Sequence, residues 1–283
     1  MPTYYAKRAL EILRDEGPVT LSRKSVRFIS RAVPRTGVPY YDQIKSYRNW
    51  EHSGDYDCRP DPFKIVWVDP TTIEHNSKNR FSYLNEKYRD SGKIVGGNWD
   101  LSNEKQGKTT IYDSGEPENT IYNSFCLHFE QGYEWENTPF IQKVIRRIED
   151  GEDSGWHGCS TKSEVLKRCG KMDKMFQDMK ENGYMSQKEV VKRRSPDLKN
   201  PHRFKRAYDE VVVNIGRDGQ LLFVGGHHRL AMAKILGIDE IPVRLFVRHK
   251  QWQELRDEIH NNGLPEGRED LRDHPDLQDI LKV

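Results

Sequence analysis

The chain has 283 residues, and its 46 lysines and arginines nearly balance its 44 aspartates and glutamates, leaving a net charge of +2. With 35% hydrophobic and 32% charged residues, it is read as a soluble protein with enough apolar mass for one substantial domain or two modest ones. No apolar run reaches the roughly twenty residues that span a bilayer and no secretory signal is visible. Cys58, Cys126, Cys159 and Cys169 lack Cys-x-x-Cys spacing, which speaks against a zinc knuckle or disulfide framework and for reduced thiols in the cytoplasm.

Residues 1–61 read as a basic helical arm and linker. Apolar residues recur at helical spacing in 5–14 and 21–33, including Val26, Ile29 and Val33. Lys7, Arg8, Arg14, Arg23, Lys24, Arg27, Arg31 and Arg35 make this stretch cationic. Such a face suits the phosphates of a nucleic acid or an anionic membrane surface, and equally a solvated helix docked on the main domain. Residues 34–62, rich in Tyr, Asp, Gly and Pro, form an irregular connection.

The main domain is expected over residues 62–260. Phe63-Lys-Ile-Val-Trp-Val-Asp-Pro70 is a strand signal ended by proline, and Glu74 follows it as a carboxylate near the strand end, with Asp69 behind. Residues 92–100 combine Gly96, Gly97, Asn98, Trp99 and Asp100. That loop can stack a ring on Trp99 and offer Asp100 to hydrogen bonds or a cation; the other reading is a strand end with Trp99 plugging a core. A helical insertion is expected over about 120–206, with helices at 122–131, 140–148, 163–168 and 172–182, a capping box at Thr161-Lys-Ser-Glu164 and a stop at Gly183. His128, His157 and His202 have no metal-ligand spacing, and Trp135 and Trp156 read as packing residues. Residues 188–206 carry Lys188, Lys192, Arg193, Arg194, Lys199, Arg203, Lys205 and Arg206, which fits either a cover over phosphates, a nucleic-acid contact or a charged surface.

The densest pattern lies in 210–247. Val211 to Ile215 and Gln220 to Val224 are apolar and flank the turn Arg217-Asp218-Gly219, so they read as a hairpin. Gly225 and Gly226 then end the second strand, Arg229 to Leu236 reads as a helix closed by Gly237, and Ile241 to Val247 returns as a strand. A Gly-Gly step into a helix lets backbone approach a ligand, and the first helical amides lack intrahelical partners and favour an anion. Arg229 can add a bidentate phosphate contact, and His227 and His228 can donate hydrogen bonds or move protons. Equally, the glycines can simply turn the chain.

Phe223-Val-Gly-Gly-His-His-Arg-Leu-Ala-Met-Ala-Lys-Ile-Leu-Gly-Ile-Asp-Glu-Ile-Pro-Val243 resembles the signature of the ParB/sulfiredoxin superfamily over roughly forty residues. The resemblance implies an α+β fold with a small mixed sheet, surrounding helices, a large helical insertion and an N-terminal helical arm. It also implies that the segment binds nucleotide phosphates. Sulfiredoxin's reactive cysteine would fall at His227, which argues against sulfinic acid reduction. The Gly-His-His-Arg form is closest to the free serine kinase-like branch. By that resemblance, Gly225, Gly226, His227, His228, Arg229, Asp218 and Gln187 contact phosphate or nucleotide. His228 would orient an oxygen and His227 move a proton, while Glu74, Asp100 or Asp218 would position Mg2+ or activate a hydroxyl. The expected function is ATP-dependent phosphoryl transfer to a small hydroxyl acceptor, with ATP and Mg2+ as cofactors. The alternatives are a nucleic-acid-binding or nuclease-type protein, with nucleic acid held by the arm and the 188–206 insertion, and a non-catalytic interaction protein. Residues 248–259 read as a closing outer helix, and 261–283 as a polar tail.

Overall fold

The computed structural model describes residue 14 and residues 47–83, 89–101, 120–152, 156–194 and 208–281. Residues 1–46 of the arm and linker expected over 1–61, apart from residue 14, and most of the basic stretch after Arg194 lie outside the described residues. So does His202. No helix among the described residues is long and apolar enough to cross a membrane.

The protein is an α+β fold built on one mixed sheet. Its strands are β1 (Ile65–Val68), β2 (His75–Asn76), β3 (Lys93–Val95), β4 (Val211–Ile215), β5 (Leu221–Gly225) and β6 (Ile241–His249), in the order β1-β6-β4-β5-β2, with β3 also on β6. The turn expected at 217–219 joins β4 and β5 as an antiparallel hairpin. Gly219 holds that turn at φ +85°, and a Cβ there would lie 2.6 Å from the Trp252 ring, so both backbone and packing require glycine. β6 is the longest strand and pairs with three others. It runs parallel to β4 on one edge, while the other edge takes β1 antiparallel at Ile241–Arg244 and β3 parallel at Val247–His249.

Every residue of β4, β5 and β6 is buried, which explains why these strands read as mostly apolar rather than alternating, with Asn214, Arg244, Arg248 and His249 as buried polar exceptions. Side chains still divide between the two faces, with the alternation broken at Phe246 and Val247, where the β4–β6 register shifts. Val211, Val213, Ile215, Phe223, Val243 and Leu245 join the main core, and Val212, Val224, Phe246 and Val247 join a smaller one on the opposite face.

The α-helices with described bounds are α1 (Ile121–Phe129), α2 (Pro139–Glu149), α3 (Lys162–Asn182), α4 (Gln187–Arg194), α5 (His227–Ile235) and α6 (Lys250–Asn262), and residues 47–52 are also helical. The spacing predicts two helices where α3 runs unbroken through Gly170. A mid-helix glycine costs about 1 kcal/mol relative to alanine, and burial of Val165, Cys169, Met172 and Met179 on one helix outweighs that. Thr161 accepts from the Glu164 amide at 3.2 Å, and the Glu164 carboxylate closes the cap on the Ser160 amide at 2.7 Å. Ser186 and Glu189 form the reciprocal capping box at α4.

The polar tail read from the sequence is, over its described part, docked on the domain. Leu271 and Leu277 are buried, and the fully buried Asp276 carboxylate accepts from Arg248 Nε (2.9 Å) and Nη2 (2.7 Å), Lys64 Nζ (3.0 Å) and Trp252 Nε1 (2.9 Å). Burial opposes its charge, but Arg248, Arg256 and Lys64 outweigh burial and hold the carboxyl well below the usual range.

Candidate functional site

A cavity of about 560 Å³ lies over the start of α5. β5 delivers the chain to it and Gly226 turns the chain into the helix. Gly226 has φ +99°, and a Cβ there would sit 2.9 Å from Val211 Cα; the left-handed turn and the close approach of β4 both demand glycine. At Gly225 a Cβ would overlap the Tyr83 ring. The close approach permitted by the two glycines is therefore used by Tyr83 and Val211, the protein's own groups. Gly226 caps α5 without a side-chain hydrogen bond, and the first intrahelical bond runs from Leu230 N to Gly226 O (3.1 Å). The amides of His227, His228 and Arg229 thus precede the helical ladder at its positive end.

Three walls complete the cleft. Arg80 and Tyr83 come from the segment after β2, Trp156 and His157 from the loop between α2 and α3, and Arg168, Met172 and Met175 from α3. Arg80 and Arg168 have no carboxylate partner among the described residues, and Arg168 Nε is buried without a hydrogen bond. Its guanidinium carbon lies 5.5 Å from the Trp156 ring centroid, a cation–π arrangement that positions but does not neutralise it. Asp209 is the one carboxylate in the wall among the described residues.

Arg229, which the spacing assigns to phosphate, is engaged elsewhere. Its Nη1 donates to Glu210 Oε2 at 3.0 Å and its Nη2 to the Asp209 carbonyl. Glu210 is fully buried and also accepts from the Gln187 amide. Burial raises its carboxyl to about 7, against the pull of Arg229. Gln187 therefore acts from behind the cleft wall, through its backbone. The guanidinium of Arg229 is a strut; its amide remains part of the helix start.

Both histidines at the helix start are uncharged near neutrality. Burial, reinforced by His157, His227 and the nearby guanidiniums, lowers His228 to about 3. Burial, with Arg80 second, lowers His227 to about 4. His157 is also lowered, by burial and then by Arg168. His228 stacks on Phe125 (5.7 Å, 16°) and accepts through Nε2 from Trp156 Nε1 at 3.4 Å. His227 meets Phe223 edge-on at 4.5 Å.

The structure does not bring the three expected carboxylates here. Glu74 is exposed, 3.9 Å from His75 Nε2, and acts on Lys234 at the far end of α5, a helix length of about 13 Å from the cleft. Asp100 accepts from the Arg217 amide (2.8 Å) and from Arg217 Nη2 (2.8 Å) at the β4–β5 turn. Asp218 is exposed in that same turn. The five residues of β5 put this turn roughly 17 Å from Gly226. Trp99 donates to Val95 O at 3.0 Å and packs edge-on against Phe81 at 5.2 Å in the smaller core, so the 92–100 loop is occupied by its own packing. With guanidiniums facing the cleft and one carboxylate in its described wall, these residues do not fit a magnesium site, and among the described residues no cluster of three or more His, Cys, Asp or Glu could hold a metal.

Arg80, Arg168 and Trp156 are the groups that local reading does not single out as ligand-facing. Arg80 lies far in sequence from Trp156 and Arg168, and no motif joins the three. No family model, no curated protein and no solved structure matches the chain.

Proposed function

We propose that the cleft at the start of α5 binds the phosphate chain of a nucleotide, and that the protein is an ATP-dependent phosphotransferase acting on a small hydroxyl acceptor. One observation carries the binding half of this reading. Two guanidiniums, Arg80 and Arg168, line an uncapped helix start without any acidic partner among the described residues. A partly buried cation lacking a counter-ion is costly unless an anion completes it, and helix amides and guanidiniums both match phosphate oxygens.

The transfer half rests on the resemblance of residues 223–243 to the kinase-like branch of the ParB/sulfiredoxin superfamily. In such a step the terminal phosphorus–oxygen bond to the nucleoside diphosphate breaks as the acceptor oxygen bonds phosphorus, and the hydroxyl proton passes to a base in the wall. Asp209 and His227, which line the cleft, would take it. Arg80, Arg168 and the α5 amides would hold the charge that develops on the phosphoryl oxygens.

Thermal denaturation with ATP, ADP and inorganic phosphate tests the reading. The midpoint rises with each phosphate compound, and Arg168→Ala removes most of that rise while leaving the ligand-free midpoint in place. At a ligand concentration 100 times the dissociation constant, linkage gives about 2.7 kcal/mol of stabilisation. A midpoint indifferent to all three compounds rejects the proposal.

A further inference from the structure

We infer that Trp156 is a positioning residue that locks His228 in the tautomer with its proton on Nδ1, making the ring a fixed hydrogen-bond donor to a ligand oxygen in the cleft. The inference deepens, and rests on, the anion-binding reading of that cleft. An indole nitrogen can only donate. The His228 nitrogen that receives the Trp156 N–H, Nε2 at 3.4 Å, must therefore be unprotonated.

The ring is neutral near pH 7, its pKa lowered to about 3 chiefly by burial, so its one proton has to reside on Nδ1. Among the described residues His228 makes no other hydrogen bond, and the residue lines the cavity. Nδ1–H is thus a donor left over for whatever enters. Phe125 stacked at 5.7 Å and 16° keeps the ring plane fixed, and Trp156 is itself held, buried, with the Arg168 guanidinium over its ring. The arrangement makes His228 a recognition group rather than a proton carrier. Donors fixed before the ligand arrives need no reorganisation when it binds.

The tautomer can be read in the ligand-free protein by long-range 1H–15N correlation spectra of 15N-histidine-labelled samples, with His228 assigned by the signals lost in His228→Gln. The wild type should show the Nδ1–H pattern. Trp156→Phe, which keeps a ring but removes the donor, should release His228 toward the Nε2–H form and weaken binding of ATP and inorganic phosphate about tenfold, the loss of one hydrogen bond to a charged group.

Because a buried tryptophan is replaced, a second pair of variants tests the same point. His228→Asn puts an amide N–H where Nδ1 stands and should keep binding within about threefold; His228→Gln puts it where Nε2 stands and should lose about tenfold. An Nε2–H pattern in the wild type, or binding kept by Gln and lost by Asn, overturns the inference. A wild type with the Nδ1–H pattern that binds no phosphate compound overturns the donor role through the reading it rests on, while leaving the tautomer assignment intact.

Discussion

The two ends of the central strands treat buried positive charge in opposite ways. Near the β4–β5 turn, Arg248, Arg256 and Lys64 converge on Asp276, and Asp279 takes a second contact from Arg256 (3.2 Å) and Lys64 (2.8 Å). At the other end of β4 and β5, Arg80 and Arg168 face a cavity without any carboxylate partner among the described residues, and the one arginine there that has a partner, Arg229, is tied to Glu210. Among the described residues, guanidiniums are neutralised where they hold the structure together and lack a carboxylate where they line the cleft. The cost of an unpaired charge makes that contrast informative: the first cluster is a structural clamp, and the second is, on the proposed function, half of a pair that an anion would complete.

The largest effect should appear at the clamp. Asp276→Asn leaves two buried guanidiniums and an ammonium facing an uncharged group and is expected to destabilise the protein by about 3–5 kcal/mol, measured by denaturant unfolding. A loss within ordinary surface-mutation scatter would mean that the cluster is not the clamp described. The contrast sharpens when arginines are removed one at a time. Arg248→Ala should cost a similar amount, whereas Arg168→Ala and Arg80→Ala should change ligand-free stability by no more than about 0.5 kcal/mol, or raise it, since each removes an unneutralised charge. Equal losses at both ends would break the comparison.

The smallest effect is in the pH dependence. His227 and His228 have folded pKa values below the unfolded value of about 6.5, so their contribution is present above that value and is lost as pH falls toward 4 and 3. Glu210 works the other way. Its carboxyl is raised to about 7, so its contribution is full below the unfolded value of about 4.3 and is lost as pH rises through 7. With His157, His227, His228 and His274 lowered against one raised glutamate, thermal midpoints should fall between pH 6.5 and 4.5. His228→Asn should make that fall shallower, and an unchanged slope would show that His228 is not held neutral.

Much of the fold was legible locally. The run from β4 through β6 announces itself because β-branched strands alternate with turn glycines at Gly219, Gly226 and Gly237, all three with positive φ. Gly237 closes α5 by donating to Lys234 O at 3.2 Å while Ile238 donates to Ala233 O at 3.0 Å. The unbroken α3 was not legible, since propensity at Gly170 points one way and burial of its neighbours the other. The docking of Asp276 was also hidden, because the residues that receive it lie in β6, α6 and just before β1.

At the cleft, the helix start could be read and its side chains could not. Arg229 sits where local spacing invites phosphate, yet Glu210 at the head of a buried strand claims it; an acid leading directly into a buried, mostly apolar strand was the local hint. Arg168 and Trp156 reach the cavity only through the packing of α3 and the preceding loop on α5, a tertiary fact that no sequence spacing encodes.

Isothermal titration of the ligand-free protein with ATP tests the central claim most directly. The account predicts one saturable site per chain, weakened at least about tenfold by Arg80→Ala and by Arg168→Ala, each the loss of a charge-assisted contact, and unchanged by Arg217→Ala at the far end of the sheet. Absence of binding, or binding that survives both cleft substitutions, would contradict it.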